Sequence, residues 1–103
     1  MSRIDKIKEM LQQIGRDSFL EHALALEYLK LEQNEAALHT FTELLSQDPH
    51  YLGSYYHLGK LHEKLGNIEK AVVVFENGMN LAKTLKDMHS YNELRSAYDE
   101  LIG

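Results

Sequence analysis

Leu24-Ala25-Leu26-Glu27-Tyr28-Leu29-Lys30-Leu31 returns thirty-four residues later as Leu58-Gly59-Lys60-Leu61-His62-Glu63-Lys64-Leu65. Leu24, Lys30 and Leu31 come back unchanged as Leu58, Lys64 and Leu65. Further along, Glu35 returns as Glu69, Ala37 as Ala71 and Phe41 as Phe75. Softer matches at the same offset join Ala25 to Gly59, Tyr28 to His62, Leu38 to Val72 and Leu45 to Met79. A fixed period in the mid-thirties marks two copies of one supersecondary unit set side by side. Within each copy the apolar residues fall three or four apart, so the unit is a pair of helices. The repeated positions are small and large apolar types. They encode packing and carry little chemistry.

The chain has 103 residues, one domain's worth, and is long enough to bury a modest core. Hydrophobic residues make up 44% and charged residues 26%, which suits a globular protein. Trp is absent and Pro occurs once, so little breaks a helical reading. The formal net charge is −5, and no Lys/Arg run forms a basic stripe. The electrostatic footprint of a nucleic-acid binder is therefore missing. The longest apolar run, Ala71 to Phe75, is far too short for a bilayer, so no membrane partner is expected. The stretch Met1-Ser2-Arg3-Ile4-Asp5-Lys6 lacks the apolar centre of a secretory signal. Zero Cys excludes disulfides and thiolate metal sites and is compatible with a reducing compartment; a cytoplasmic location is expected.

Six helical segments follow from the periodicity. The first runs from about Arg3 to Gln13, with Ile4, Ile7, Leu11 and Ile14 on one stripe, Ser2 or Asp5 at its start and Gly15 at its end. The second runs from about Ser18 to Leu31, capped by Asp17 or Ser18, with Glu21 placed as a capping-box partner. Its buried stripe is Leu20, Leu24, Tyr28 and Leu31. The third, about Asn34 to Gln47, starts at Gln33 or Asn34 and turns Leu38, Phe41, Leu44 and Leu45 inward. Asp48-Pro49 ends it, because proline forces its predecessor into extended backbone. The fourth runs from about Leu52 to Leu65. Gly66 supplies a left-handed residue beyond it, and Asn67 is placed to cap the fifth, about Ile68 to Leu85. The sixth, about Met88 to Leu101, aligns Tyr91, Leu94, Tyr98 and Leu101. Connections this short join antiparallel neighbours.

With Ser18 and Leu52 as first positions, the two copies resemble tetratricopeptide repeats. The family's Leu-Gly pair at the seventh and eighth positions appears as Leu58-Gly59 and as Leu24-Ala25. Its eleventh-position aromatic is Tyr28, replaced by His62 in the second copy. The glycine after the first helix is Gly66, the alanine is Ala37 and Ala71, the later aromatic is Phe41 and Phe75, and the terminal proline is Pro49. Departures are Glu21 where Tyr55 stands in the second copy, Glu32 for the inter-helix glycine, Leu44 against Gly78, and Lys83 for proline. A left-handed Glu32 would cost about 1 kcal/mol.

The resemblance implies an all-α, right-handed antiparallel helix-pair solenoid of about six helices in a single domain. Residues 1–17 would be an N-terminal flanking helix, 18–51 and 52–85 the repeats, and 86–103 a C-terminal capping helix. Ile7 aligns with Phe41 at the same offset, so the first segment resembles the second helix of a preceding repeat. Phe41 and Phe75 are expected to fill the wedge between repeats.

Six histidines invite a metal reading, but His57 and His62 are five apart, and His22, His39, His50 and His89 sit in separate segments. Two ligands on one helix need a spacing of three or four. No metal and no cofactor are expected. Carboxylate pairs such as Asp5 with Glu9 and Asp99 with Glu100 lie on charged helix faces, and no serine sits in a nucleophile motif. An enzyme is not expected, and no catalytic residue is assigned.

The resemblance implies a different use. In tetratricopeptide arrays the first helices line a concave groove. The groove positions carried over are Phe19, His22, Leu26, Leu29 and Lys30, then Gly53, Tyr56, Lys60, Glu63 and Lys64, and on the last helix Ser90, Leu94 and Tyr98. Phe19, Leu26, Leu29 and Tyr56 are apolar where the fold alone does not require it, as in a peptide groove. In so short an array the same residues can instead pack on the flanking helices. The carboxylate clamp of co-chaperone members is not rebuilt, since its positions hold His22, Leu26, His57, Asp87 and Tyr91, or Tyr56, Lys60 and Tyr91 one repeat later. The expected function is a non-catalytic module binding a peptide or helix of a protein partner in the groove. The alternative is a self-associating docking subunit, a homodimer without a peptide ligand.

Overall fold

A computed structural model describes residues 2–103; Met1, part of the N-terminal stretch read above, lies outside them. The described residues form six α-helices and no strand: α1 (Arg3–Ile14), α2 (Ser18–Lys30), α3 (Asn34–Gln47), α4 (Gly53–Lys64), α5 (Ile68–Thr84) and α6 (Met88–Ile102). Each boundary lies within one residue of its sequence expectation. The chain divides into two compact units, residues 1–49 with α1–α3 and residues 50–103 with α4–α6. No helix among the described residues is long and apolar enough to cross a membrane.

In the first unit α2 packs on α1 and α3. Asp17 caps α2 by accepting the Leu20 amide at 2.9 Å, and Ser2 caps α1 through the Asp5 amide at 3.1 Å. Glu21 does not close a capping box. Its carboxylate pairs with Arg16 at 2.8 Å instead. Ser18 Oγ donates to Asp48 Oδ2 at 2.6 Å and so ties the start of α2 to the end of α3. Ile7, Leu24, Ala25, Ala37, Phe41 and Leu44 are buried. The ends of the expected stripes, Ile14 and Leu31, are exposed.

In the second unit α5 lies against both α4 and α6, and α4 also meets α6. The core gathers Ala71, Phe75, Met79, Ala82, Leu94 and Ala97. Phe75 shares this core with Leu94 and Ala97 of α6, and its ring lies directly on Gly59 of α4, where a Cβ would run into three of its carbons. Gly59 is therefore small for the closeness of a ring, beyond any closeness of backbones.

Three helix ends close in the same way. The amides of Gln33, Asn67 and Asp87 reach back to the carbonyls of Tyr28, His62 and Ala82 at 2.8–2.9 Å. This motif places one residue in left-handed backbone: Glu32 at φ 60, Gly66 at φ 82 and Lys86 at φ 57. Glu32 thus takes on the cost that Gly66 escapes. Lys86 does so too, and nothing in its sequence context announces it.

Asn67 does not cap α5 through its side chain. Its Nδ2 instead lies 3.3 Å from Nδ1 of the buried His62 imidazole, in hydrogen-bond contact. Burial, and then the neighbouring Lys70 charge, hold the His62 pKa below its ordinary 6.5. Burial does the same to His57, partly opposed by Glu93. A depressed histidine pKa means the unfolded chain takes up protons first as pH falls. Stability from this source is full above pH 6.5 and is lost as pH drops below it towards the folded values. Melting temperature should therefore fall between neutral pH and pH 5, and His62→Gln should flatten part of that slope. An unchanged slope in the variant would remove His62 from the account.

Candidate functional site

Along one side of the second unit, α4 and α6 leave an open cleft of about 360 Å³. Its α4 wall is Tyr56 and Lys60, one turn apart, and its floor is Ala97. Its α6 wall carries His89, Asn92, Glu93, Ser96 and Glu100. Tyr56 is half-buried, packs against the core, and meets the His57 ring edge-on at 5.6 Å. Lys60 Nζ lies 3.3 Å from Glu63 Oε1. That oxygen is buried without a hydrogen bond of good geometry, so attraction between charges joins the pair. On α6, His89 Nε2 stands 4.0 Å from Glu93 Oε2.

The expected groove residues are not all on this face. Tyr56 and Lys60 line it, with Glu63 behind Lys60. Lys64 is exposed at the end of α4. Leu94 and Tyr98 correct the sequence reading. Leu94 is 2% exposed and belongs to the core. Tyr98 points to the α5 side, where its hydroxyl donates to Glu76 Oε2 at 3.3 Å. The reason is a shift of register. α5 continues to Thr84, three residues past the counterpart of the α3 end, so the thirty-four-residue offset does not carry into α6. An offset of thirty-six does. It maps Tyr55, Leu58 and His62 onto Tyr91, Leu94 and Tyr98, and Gly53, Tyr56, Lys60 and Lys64 onto His89, Asn92, Ser96 and Glu100. Two residues turn a helix by about 200°, which exchanges its inner and outer faces. The Tyr91–Leu94–Tyr98 spacing was the available signal for His89, Asn92, Ser96 and Glu100.

In the first unit, Phe19 is 69% exposed at the start of α2. His22 is half-buried with its ring edge-on to Phe41 at 5.8 Å. Leu26 and Leu29 are half-buried and Lys30 is exposed.

A larger hollow of about 610 Å³ lies between α5 and α6. Its polar groups are engaged with one another. Arg95 Nε holds both Asp99 oxygens at 3.2 Å, Arg95 Nη1 meets the Tyr91 hydroxyl at 3.3 Å, and Lys83 Nζ sits 5.3 Å over the Tyr91 ring. Size does not make it the better site, since a ligand would have to break these contacts. No three of the described His, Asp or Glu side chains are grouped as metal ligands would be.

Residues 28–90 match the tetratricopeptide repeat family. The chain is similar to a tetratricopeptide repeat domain protein from Salinibacter ruber, at 38% identity over 84% of this chain and 98% of that one, with a TM-score of 0.82. It is similar to a protein from Bordetella parapertussis at 26% identity, covering 99% of this chain and 89% of that one, with a TM-score of 0.85. It shares its fold with PcrH, known from Pseudomonas aeruginosa, whose complex with the chaperone binding region of PopD aligns at 15% identity over 96% of this chain and 75% of that one, with a TM-score of 0.87. Among curated proteins none matches the chain.

Proposed function

The chain belongs to the tetratricopeptide repeat family, and on that footing we propose that it is a non-catalytic module that binds a peptide or helix of a protein partner. The observation that carries this reading is the α4–α6 cleft with a half-open Tyr56 on its wall. A tyrosine ring offers contact area at little cost in rotamer entropy, and a lysine one turn on fixes register through its charge. PcrH, of the same fold, is held with a region of PopD; this supports the reading that such a fold accommodates a partner segment. In the first unit, Phe19, His22, Leu26, Leu29 and Lys30 are proposed as a contact surface of that unit's own.

Affinity capture with the full chain, compared with Asn92→Trp and Tyr56→Ala, tests the proposal. Asn92 is exposed on the cleft wall, so its replacement by Trp fills the cleft and leaves the core intact. Both variants are expected to lose the captured partner. Asn92→Trp should leave the melting temperature unchanged. Tyr56→Ala should cost no more than about 2 kcal/mol, half the loss of a fully buried ring. Capture that survives Asn92→Trp would end the cleft reading. A second reading, self-association, has one observation in its favour: Met10, Ile14 and Phe19 are all exposed on the first unit. Light scattering that shows a monomer at every concentration would remove it.

A further inference from the structure

We infer that the α4–α6 cleft takes a cationic segment of a partner protein, one that sets two lysine or arginine side chains about 10 Å apart against Glu93 and Glu100 while an apolar residue lies on Tyr56 and Ala97. The inference rests on the cleft being the binding face and names the chemistry of its occupant.

Glu93 and Glu100 are seven residues apart on α6, two turns, so both face the cleft about 10 Å from each other along the axis. Both are exposed. Lys60, the cation on the opposite wall, already has Glu63 at 3.3 Å. With the imidazoles counted neutral, the cleft is left with two negative charges in excess. The Glu93 field reaches across to α4, where it works against burial in setting the protonation of His57. The half-buried Tyr56 on the cleft wall adds an aromatic ring, whose face attracts a cation and also covers an apolar side chain. A segment in polyproline II conformation sets residues i and i+3 on one face about 9 Å apart, close to the axial separation of the two glutamates. An acidic segment would meet repulsion here. The sign is opposite to that of the carboxylate clamp, whose residues this chain lacks.

The test uses the full chain, isotopically labelled, and three short peptides held in polyproline II conformation by flanking prolines. They share a central leucine and differ only at positions i and i+3, which carry lysine, glutamine or glutamate. The lysine peptide is expected to move the amide signals of Tyr56, Lys60, Asn92, Glu93 and Ser96. It should bind about tenfold tighter than the glutamine peptide, the worth of two exposed ion pairs, with the glutamate peptide weakest. Raised salt, or Glu93→Gln with Glu100→Gln, should erase the tenfold difference. Both glutamates are exposed, so these variants keep the fold. Equal binding of all three peptides at the cleft would overturn the charge assignment and leave the cleft as the binding face. A lysine peptide that shifts no amide, or amides elsewhere, would overturn the inference outright. Failure of the underlying reading shows separately, as capture that survives Asn92→Trp.

Discussion

Phe75→Ala is expected to remove about 3–5 kcal/mol of stability, the usual loss when a fully buried aromatic ring is deleted. Phe75 has no exposed surface and sits at the centre of the α4–α5–α6 core. Its ring closes directly over Gly59, which has no side chain to move into the vacated space. Of the other core side chains, Ala71, Ala82 and Ala97 are too short to fill the hole, and Met79 and Leu94 can relax into it only in part. The cost of the remaining cavity adds to the lost transfer energy. Small domains have only about 5–15 kcal/mol in total. A thermal melt followed by circular dichroism should show a fall of more than about 12 °C. Partner capture would be lost only because the fold is lost, in contrast to Asn92→Trp. A melting temperature that hardly moves would mean that the ring is not the centre of the core.

Gly78→Leu is expected to cost at least about 3 kcal/mol, even though leucine is what the first repeat carries at the matching position, Leu44. A Cβ on Gly78 would stand 2.8 Å from Tyr55 Cβ and 3.1 and 3.2 Å from the two methyls of Leu94. The methyls can rotate. Tyr55 Cβ is fixed to the α4 backbone and cannot retreat without moving the helix. Leaving glycine for a good helix former returns about 1 kcal/mol, which is too little to offset the clash. A urea titration should place the midpoint well below that of the parent chain. A raised midpoint would show that α4, α5 and α6 have slack at their crossing.

The repeat made much of this legible beforehand. Fold class and six helices follow from one periodicity, because helical spacing and a fixed offset are local properties of the chain. Asp17 as a cap, Gly66 as a left-handed residue and Phe41 and Phe75 as core residues are local in the same sense. Each depends on neighbours within a few residues or on a matched position in the other copy.

Other features depend on what one helix meets on another. Asn67 has the right place and chemistry for a cap, but its side chain bonds instead to the buried imidazole of His62 across the turn between α4 and α5. Leu94 and Tyr98 lie off the cleft face that the thirty-four-residue period assigns them, because the extra length of α5 turns α6 by two residues. The sequence by itself determined which segments are helical and where each ends, since hydrogen bonding along the backbone and apolar periodicity decide those things within a segment. The Tyr91–Leu94–Tyr98 spacing separates the two faces of α6, but the tertiary structure alone decided that the face with His89, Asn92, Glu93 and Glu100 stands opposite Tyr56 and Lys60, because the packing of Leu94 and Ala97 against neighbouring helices sets the rotation of α6 about its axis.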